Sequence, residues 1–476
     1  MLSLNYVTIP QQIDNMSGKT PIATLNLFVF NSNLGPREGE EHKKILFYYP
    51  PETDIDQKIK NVGLCEAVAK FTENFTEKDC RSLHTQKTRQ ILYQPEPDYW
   101  MVLTLSIPFS QKVKDGQTYS EYHEDDLQDT VYESVLQEAY KMFRLFMGTF
   151  YHIVSKYQVQ GLKQRLEHFY NRYILTLRLG QCDVLDIFNG IGFLPLDKNT
   201  YLQIQCFINQ LEASFPQIRY SAFLYSDQLV WSGLEQDDMR VMYRYLTTSL
   251  FPSTMEQEMQ GTQAAPSGST ASNMHYGKYI TGPPNINDEQ NPGKVPRVFI
   301  NTDVQIEECN LIVYKALSAS VCLLVDGDVP LTFDFYRKLD NFLGPLLSNL
   351  ASEISEQYPR RSSISGEPQY KYVYFNHMNL AQKTTIHADS KKAASVNIPS
   401  DILKLIADLN FDLNNGPSEN GEIIVKGSGE YWVVGIRSDQ REFYCVINQK
   451  GANLIEINEE VKKLCSTNFS NIFFLD

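Results

Sequence analysis

The chain has 476 residues, too many for one ordinary core, so roughly two to four domains are expected. Its 42% hydrophobic and 21% charged residues fit folded globular protein and exclude wholesale disorder. Forty-three basic against fifty-seven acidic side chains leave a net charge of −14. That balance disfavours nonspecific nucleic-acid binding, which needs cations to displace counterions, and whole-body attraction to anionic lipid.

Residues 1–20 carry no basic segment followed by an apolar one, so no secretory signal is expected, and no apolar run approaches the roughly 18 residues that span a bilayer. The first third then alternates at Thr24–Phe30 and Ile45–Tyr49, which predicts two strands. A helix is predicted over Lys58–Phe75, three strands at Leu83–Gln86, Gln90–Tyr93 and Trp100–Ile107, and helices over Asp126–Phe150 and Leu162–Leu177. Cys182–Phe215 bridges to the next unit and contains a predicted helix from Tyr201 to Leu211.

The order then repeats. Arg219–Tyr225 and Leu229–Ser232 flank a short turn. A helix opening at Gln236-Asp237-Asp238 places carboxylates where the helix dipole favours them and carries Met239, Met242, Leu246 and Leu250. Between Pro252 and Pro296 the composition turns to Pro, Gly, Ser, Thr, Asn and Gln, which predicts a largely disordered insert. Strands at Arg297–Ile300, Asn310–Tyr314 and Ser320–Val325 follow, then a long helix with Tyr336, Leu339, Leu343, Leu346, Leu350 and Ile354 on one face. Pro359–Pro368 reads as an exposed hinge with serines beside Arg360 and Arg361.

The third pass is the cleanest. Gln369–Phe375 and Lys383–His387 pair as strands, Ser400 caps a helix bearing Ile402, Ile406, Leu409 and Leu413, and strands follow at Glu422–Lys426, Tyr431–Ile436 and Glu442–Asn448. A last helix begins near Asn458. The fold class is therefore α/β, as α+β sandwich modules of order ββαβββα. Domain one covers 1–180 and a helical linker 181–216; domain two covers 217–358 with the insert 252–296; a linker spans 359–368, and domain three covers 369–476.

Motifs for covalent chemistry are missing. There is no Gly-x-x-x-x-Gly-Lys-Ser/Thr loop, no Cys-x-x-Cys, no His-Glu-x-x-His and no Gly-x-Ser-x-Gly elbow, so no phosphate cradle, metal cage, cofactor site or nucleophile is expected. Gly427-Ser428-Gly429 lies between two strands and reads as a hairpin turn. The eight cysteines are scattered singly, mostly inside apolar runs, as in a reduced cytosolic protein.

One helix stands out. Projected at 100° per residue, Lys58–Phe75 puts Leu64, Val68, Phe71 and Phe75 on one stripe, read as the core face, with Ile59, Val62, Cys65 and Ala69 roughly opposite. A helix on one sheet needs a single apolar face. The second face, Ile59, Val62, Cys65 and Ala69, is a partner contact or is covered by helices of its own unit.

The ββαβββα order is that of longin domains. Six strings carry a closer resemblance: Asn33-Leu34-Gly35-Pro36-Arg37-Glu38-Gly39, Asn61-Val62-Gly63-Leu64-Cys65-Glu66-Ala67, Ser82-Leu83-His84-Thr85-Gln86-Lys87, Gln228-Leu229-Val230-Trp231-Ser232-Gly233-Leu234-Glu235, Tyr374-Phe375-Asn376-His377-Met378-Asn379 and Asn471-Ile472-Phe473-Phe474-Leu475-Asp476. In this order they resemble the Ccz-type vacuolar fusion proteins, with departures concentrated in the linkers.

The resemblance implies three longin domains, a Mon-type tri-longin partner subunit, and a third regulatory subunit in animal-type complexes. It also implies guanine-nucleotide exchange on a late-endosomal GTPase of the Rab-seven class, in the cytoplasm with peripheral contact to late endosomal and lysosomal membranes. The first longin domains of the two subunits would join to form the Rab platform. On that basis His84, Gln86, Lys87 and Arg89 are candidates for Rab contact, and Lys383, Lys391, Lys392 and Lys404 for lipid contact. Two rivals stay open: a longin scaffold or coat-type adaptor without exchange activity, and a hydrolase or GTPase-activating factor using an arginine such as Arg37 or Arg89.

Overall fold

The structure is a computed structural model that describes residues 19–75, 80–114, 117–259, 277–301, 306–362, 370–386, 398–416 and 418–469. Its contacts divide the chain into two compact units, one ending at Ile187 and the other running from Phe188.

In the first unit, β1 (Thr24–Asn31), β2 (Ile45–Tyr49), α1 (Ile55–Glu73), β3 (Ser82–His84), β4 (Thr88–Glu96) and β5 (Tyr99–Ser106) build one antiparallel sheet in the order β2-β1-β5-β4-β3, with α1 against it. Strand alternation sorts the side chains. Phe28, Phe30, Tyr48, Leu92, Trp100 and Val102 face α1 and form one core with it. Residues of the other face meet two helices, α2 (Asp129–Met147) and α3 (Phe150–Tyr173), through contacts such as Phe47 with Tyr170 and Tyr93 with Tyr140. Glu96 locks this side: its carboxylate accepts from the Phe150 and Tyr151 backbone N–H groups at 2.5 and 2.8 Å and from the Tyr140 hydroxyl at 2.6 Å, filling the orphan donors at the start of α3. A polar hairpin, β6 (Phe109–Lys114) with β7 (Gln117–Tyr122), has no counterpart in the sequence reading, because its exposed strands lack the apolar alternation that marks a buried face.

The second unit holds two more sheets. A short helix, α4 (Val184–Phe188), precedes α5 (Lys198–Ser214), which Asp197 caps through Asn199 and Thr200 N–H. Then come β8 (Ile218–Tyr225), β9 (Gln228–Ser232), α6 (Gln236–Tyr245), a π-helical turn at Leu246–Leu250, α7 (Phe251–Met259), β10 (Gly277–Thr281), β11 (Arg297–Asn301), β12 (Ile306–Ala316), β13 (Ala319–Asp326) and α8 (Phe333–Ser362). The sheet runs β10-β12-β13-β8-β9, with β11 beside the other half of β12. α5 is no spacer: Ile204, Phe207, Ile208 and Leu211 belong to this core with Leu339, Leu343 and Leu347 of α8.

The insert 252–296 is also corrected in part. It contributes most of α7 and all of β10, where Tyr279 is buried and donates its hydroxyl to the Tyr336 carbonyl at 2.8 Å. Gly277 is needed there because the Tyr314 hydroxyl occupies the space a Cβ would take. Thr262–Asn273 lies outside the described residues. So does most of the hinge at Pro359–Pro368, into which α8 extends as far as Ser362.

The third module is β14 (Lys371–Asn376), β15 (Ala381–Thr384), α9 (Ser400–Asn415), β16 (Gly421–Lys426), β17 (Tyr431–Ser438), β18 (Arg441–Asn448) and α10 (Leu454–Asn468), in the sheet order β15-β14-β18-β17-β16. Ser400 is the first residue of α9 rather than its cap, and α10 starts at Leu454 behind a capping box of Asn453 and Glu456. Residues 189–194, part of the stretch read as linker, run as a strap along two sheet edges. Ile191 N–H donates to the Leu380 carbonyl at 2.7 Å and Gln382 N–H to the Ile191 carbonyl at 2.8 Å; Leu229 N–H donates to the Gly192 carbonyl at 2.8 Å and Leu194 N–H to the Leu229 carbonyl at 2.9 Å. The strap thereby covers the open backbone groups of β15 and β9.

Candidate partner-binding face

α1 is capped by Asp54, whose side chain accepts from Asp56 N–H, and its two apolar faces are the two read from the sequence, with their roles exchanged. Val62, Cys65 and Ala69 are buried, and Ile59 packs beside them, against Phe28, Phe30, Tyr48 and Trp100. Leu64, Phe71 and Phe75 keep 48%, 64% and 71% of their surface open, and the Phe71 and Phe75 rings touch at 4.7 Å between centroids. The physical reason is volume. The sheet already supplies four large rings, so a helix sits on it at packing distance only through small side chains. Ile59, Val62, Cys65 and Ala69 are therefore core, not a partner contact, and the bulky stripe faces out. Small residues at i, i+3 and i+7 opposite aromatic strands were the signal available in the sequence.

Charge frames the stripe on one flank. Glu66 accepts from Lys44 at 2.7 Å and from Lys70 at 2.6 Å; although burial opposes it, these ammonium groups hold its carboxyl below the usual range. Burial also pushes the Cys65 thiol up to about 12, so it stays protonated and inert.

The strand β3 divides the other candidates. Leu83 packs toward the α1 core, so its neighbour His84 lies on the opposite sheet face, where its Nε2 is 2.6 Å from Asp129 Oδ2 at the start of α2. Arg89 is only 5% exposed, and its guanidinium is held by the same Asp129, which rules it out as a surface contact or an arginine finger. Burial works against ionised Asp129, but hydrogen bonds from Ser82, Arg89 and His84 hold its carboxyl below the usual range. Gln86 and Lys87 are exposed at the tip of a turn pinned by Thr85 and Thr88. Only these two of the four candidates present a free-standing polar tip.

The lysines proposed for lipid do not gather. Lys383 on β15 lies 5.7 Å from the centre of the Phe469 ring, on the sheet face that α10 covers, whereas Lys404 belongs to α9, which packs across β16 and β17. Lys391 and Lys392 lie outside the described residues. Among the described residues no group of three or more His, Cys, Asp or Glu side chains is placed to hold a metal, and no helix is long and apolar enough to cross a membrane.

A sheet of order 2-1-5-4-3 in the first and third modules, and a six-stranded variant in the second whose last position is shared by β10 and β11, define a protein of three longin domains, and comparison with known families agrees. The family described as "First Longin domain of INTU, CCZ1 and HPS4" matches residues 24–148, "Intu longin-like domain 2" matches 218–344, and "Intu longin-like domain 3" matches 366–464. Relatives named "Vacuolar fusion protein CCZ1 homolog" align over nearly the whole chain. The Nematostella vectensis protein is 55% identical over 460 residues (96% of this chain, 99% of the relative), and the Xenopus laevis protein 53% over 458 residues (95% and 97%). The Dictyostelium discoideum protein is 32% identical over 463 residues (95% and 98%). The chain belongs to the CCZ1 family of vacuolar fusion proteins.

Proposed function

We propose that this chain acts in vacuole and lysosome fusion as one subunit of a heteromeric guanine-nucleotide exchange factor for a late-endosomal GTPase of the Rab-seven class. Its partner is a Mon-type tri-longin subunit, joined by a third regulatory subunit in animal-type complexes, and the same activation serves endosome maturation and autophagosome–lysosome fusion. The observation that carries the reading is the open stripe of Leu64 and Phe71 on α1 with Phe75 just past its end. Contiguous exposed aromatic and aliphatic side chains on one helix are costly in water and suit a protein contact. A second longin domain presenting its own helix is the occupant that the family implies.

An exchange factor makes and breaks no bond. It binds the nucleotide-free GTPase better than the loaded one, and the difference loosens the nucleotide. Nanomolar nucleotide affinity corresponds to about −12 kcal/mol, so a composite platform of two subunits suits the task better than one small surface. Gln86 and Lys87 are the Rab-facing residues of this platform. Release of fluorescent GDP from the Rab tests the reading, with this chain, the Mon-type subunit and the pair compared. Acceleration by the pair alone is expected. No acceleration by a stable, monodisperse pair overturns it and leaves a longin adaptor.

A further inference from the structure

The hairpin of β3 and β4 is gripped at its neck by a carboxylate from another element. His84 and Arg89 stand directly opposite each other in the ladder, where the chain turns through Thr85, Gln86, Lys87 and Thr88. Asp129, the first residue of α2, reaches both: its Oδ1 accepts from Arg89 Nη1, and its Oδ2 lies 2.6 Å from His84 Nε2. Ser82, on the same face of β3, holds its hydroxyl 3.2 Å from that His84 nitrogen. Glu133, one turn further along α2, pairs with Arg81 at 3.4 Å. The helix that carries both acids is itself anchored, with Val131, Tyr132, Val135 and Leu136 buried.

Little else orders the turn. β3 is three residues long and lies at the end of its sheet, so β4 alone supplies its ladder, and short edge strands are among the first elements to open. Thr85 and Thr88 close the turn with hydroxyls 2.7 Å apart, and the Lys87 carbonyl accepts from Ile107 N–H at 3.0 Å. Among the described residues the side chains of Gln86 and Lys87 make no hydrogen bond or ion pair. Their place is therefore set by the backbone at the neck. Without Asp129 the buried Arg89 guanidinium would be left with a long bond to the Leu127 carbonyl, at 3.5 Å.

We propose that Asp129 is a positioning residue for the GTPase contact: by holding both strands of the neck to α2, it presents Gln86 and Lys87 preformed to the GTPase. A preformed turn spares the cost of ordering it on contact, which a mobile one subtracts from the affinity. His84 and Arg89 then serve the contact without touching the GTPase, as the two handles that Asp129 holds. The inference rests on the exchange-factor reading for the identity of the ligand, whereas the grip itself belongs to the free chain.

A double-mutant cycle on the complex with the Mon-type subunit tests it. Affinity for the nucleotide-free GTPase of the Rab-seven class and the rate of GDP release are read separately. Asp129→Ala is expected to weaken GTPase binding by about tenfold, the scale of ordering one more backbone residue on contact. Gln86→Ala with Lys87→Ala is expected to weaken it directly, and adding Asp129→Ala to that pair to weaken it little further, because the grip acts through those side chains. In the free chain, amides at 84–89 should exchange faster in Asp129→Ala. Glu96→Ala, at the opposite end of β4, is the control for lost stability and should leave those amides and GTPase binding unchanged. His84→Ala, at a half-exposed site, releases β3 alone; it replaces Asp129→Ala in the cycle if that variant does not fold, with a smaller loss expected. Losses that multiply in the cycle, wild-type GTPase binding by the folded Asp129→Ala complex, or unchanged exchange at 84–89 would each overturn the proposal, even with GDP release by the wild-type pair intact. A wild-type pair that binds the GTPase without releasing GDP removes the exchange reading alone, since the cycle is then decided on binding; a pair that binds no GTPase overturns both.

Discussion

Phe71→Ala separates the two faces of α1. A phenylalanine side chain presents about 200 Å², so the 64% of Phe71 that stands open amounts to about 130 Å², worth about 3 kcal/mol when a partner covers it at about 25 cal/mol per Å². The partner's affinity is then expected to fall on the order of 100-fold, measured by titration calorimetry with the Mon-type subunit. Because the ring touches little but Phe75 in the free chain, the melting temperature of the isolated chain should stay within a degree or two. Val62→Ala makes the opposite case: it removes buried methyl groups beneath the helix and costs about 2 kcal/mol of stability, with pairing by the folded protein unchanged. The assignment of the faces is refuted if Phe71→Ala destabilises the free chain and spares pairing, or if Val62→Ala abolishes pairing without a loss of stability.

Two further changes probe the frame. Glu96→Ala strips acceptors from the Phe150 and Tyr151 N–H groups and from the Tyr140 hydroxyl, at a cost of about 2–3 kcal/mol, read as earlier unfolding of the first unit and faster amide exchange at the start of α3. Glu442 is buried yet ionised, because hydrogen bonds from His377 at 2.7 Å and from Asn410 and Tyr444 outweigh the burial that opposes its charge, and its carboxyl is held below the usual range. A depressed folded-state value means stability present above the unfolded value, about 4.3, and lost as pH falls through the folded one. Urea midpoints of the third module should therefore drop in mild acid, and Glu442→Gln should flatten that dependence while lowering the midpoint at neutral pH.

The order of elements was legible because each longin module states its periodicity locally: Ile402, Ile406, Leu409 and Leu413 recur at helical spacing, and Tyr431–Ile436 alternates. What a single segment does not state is which neighbour it meets. The bulk of Phe71 and Phe75 reads as core until the rings of Phe28, Phe30, Tyr48 and Trp100 are placed beneath α1. Arg89 reads as a surface cation until α2 brings Asp129 to it. β10 was lost because Tyr279 is one buried ring in a polar stretch, and the strap at 189–194 because its order comes from backbone bonds to two other strands.

The three modules also compare their equivalent helices, and the comparison argues for where the partner binds. α1, α6 and α9 occupy the same place in the fold, after the second strand of each sheet. The outward side of α6 carries Gln236, Asp237 and Arg240, with Arg240 paired to Asp237 at 2.9 Å. That of α9 carries Asp401, Asp408 and Asp412, with Phe411 as its one large exposed apolar side chain. Only α1, with Phe75 just past its end, turns a leucine and two contacting phenylalanines outward. The strap meanwhile occupies the edges of β9 and β15, so strand addition there is already satisfied within the chain. A fold repeated three times thus leaves its uncovered apolar helix in the first module alone, and a partner that cannot add to β9 or β15 has its largest gain in buried apolar area there.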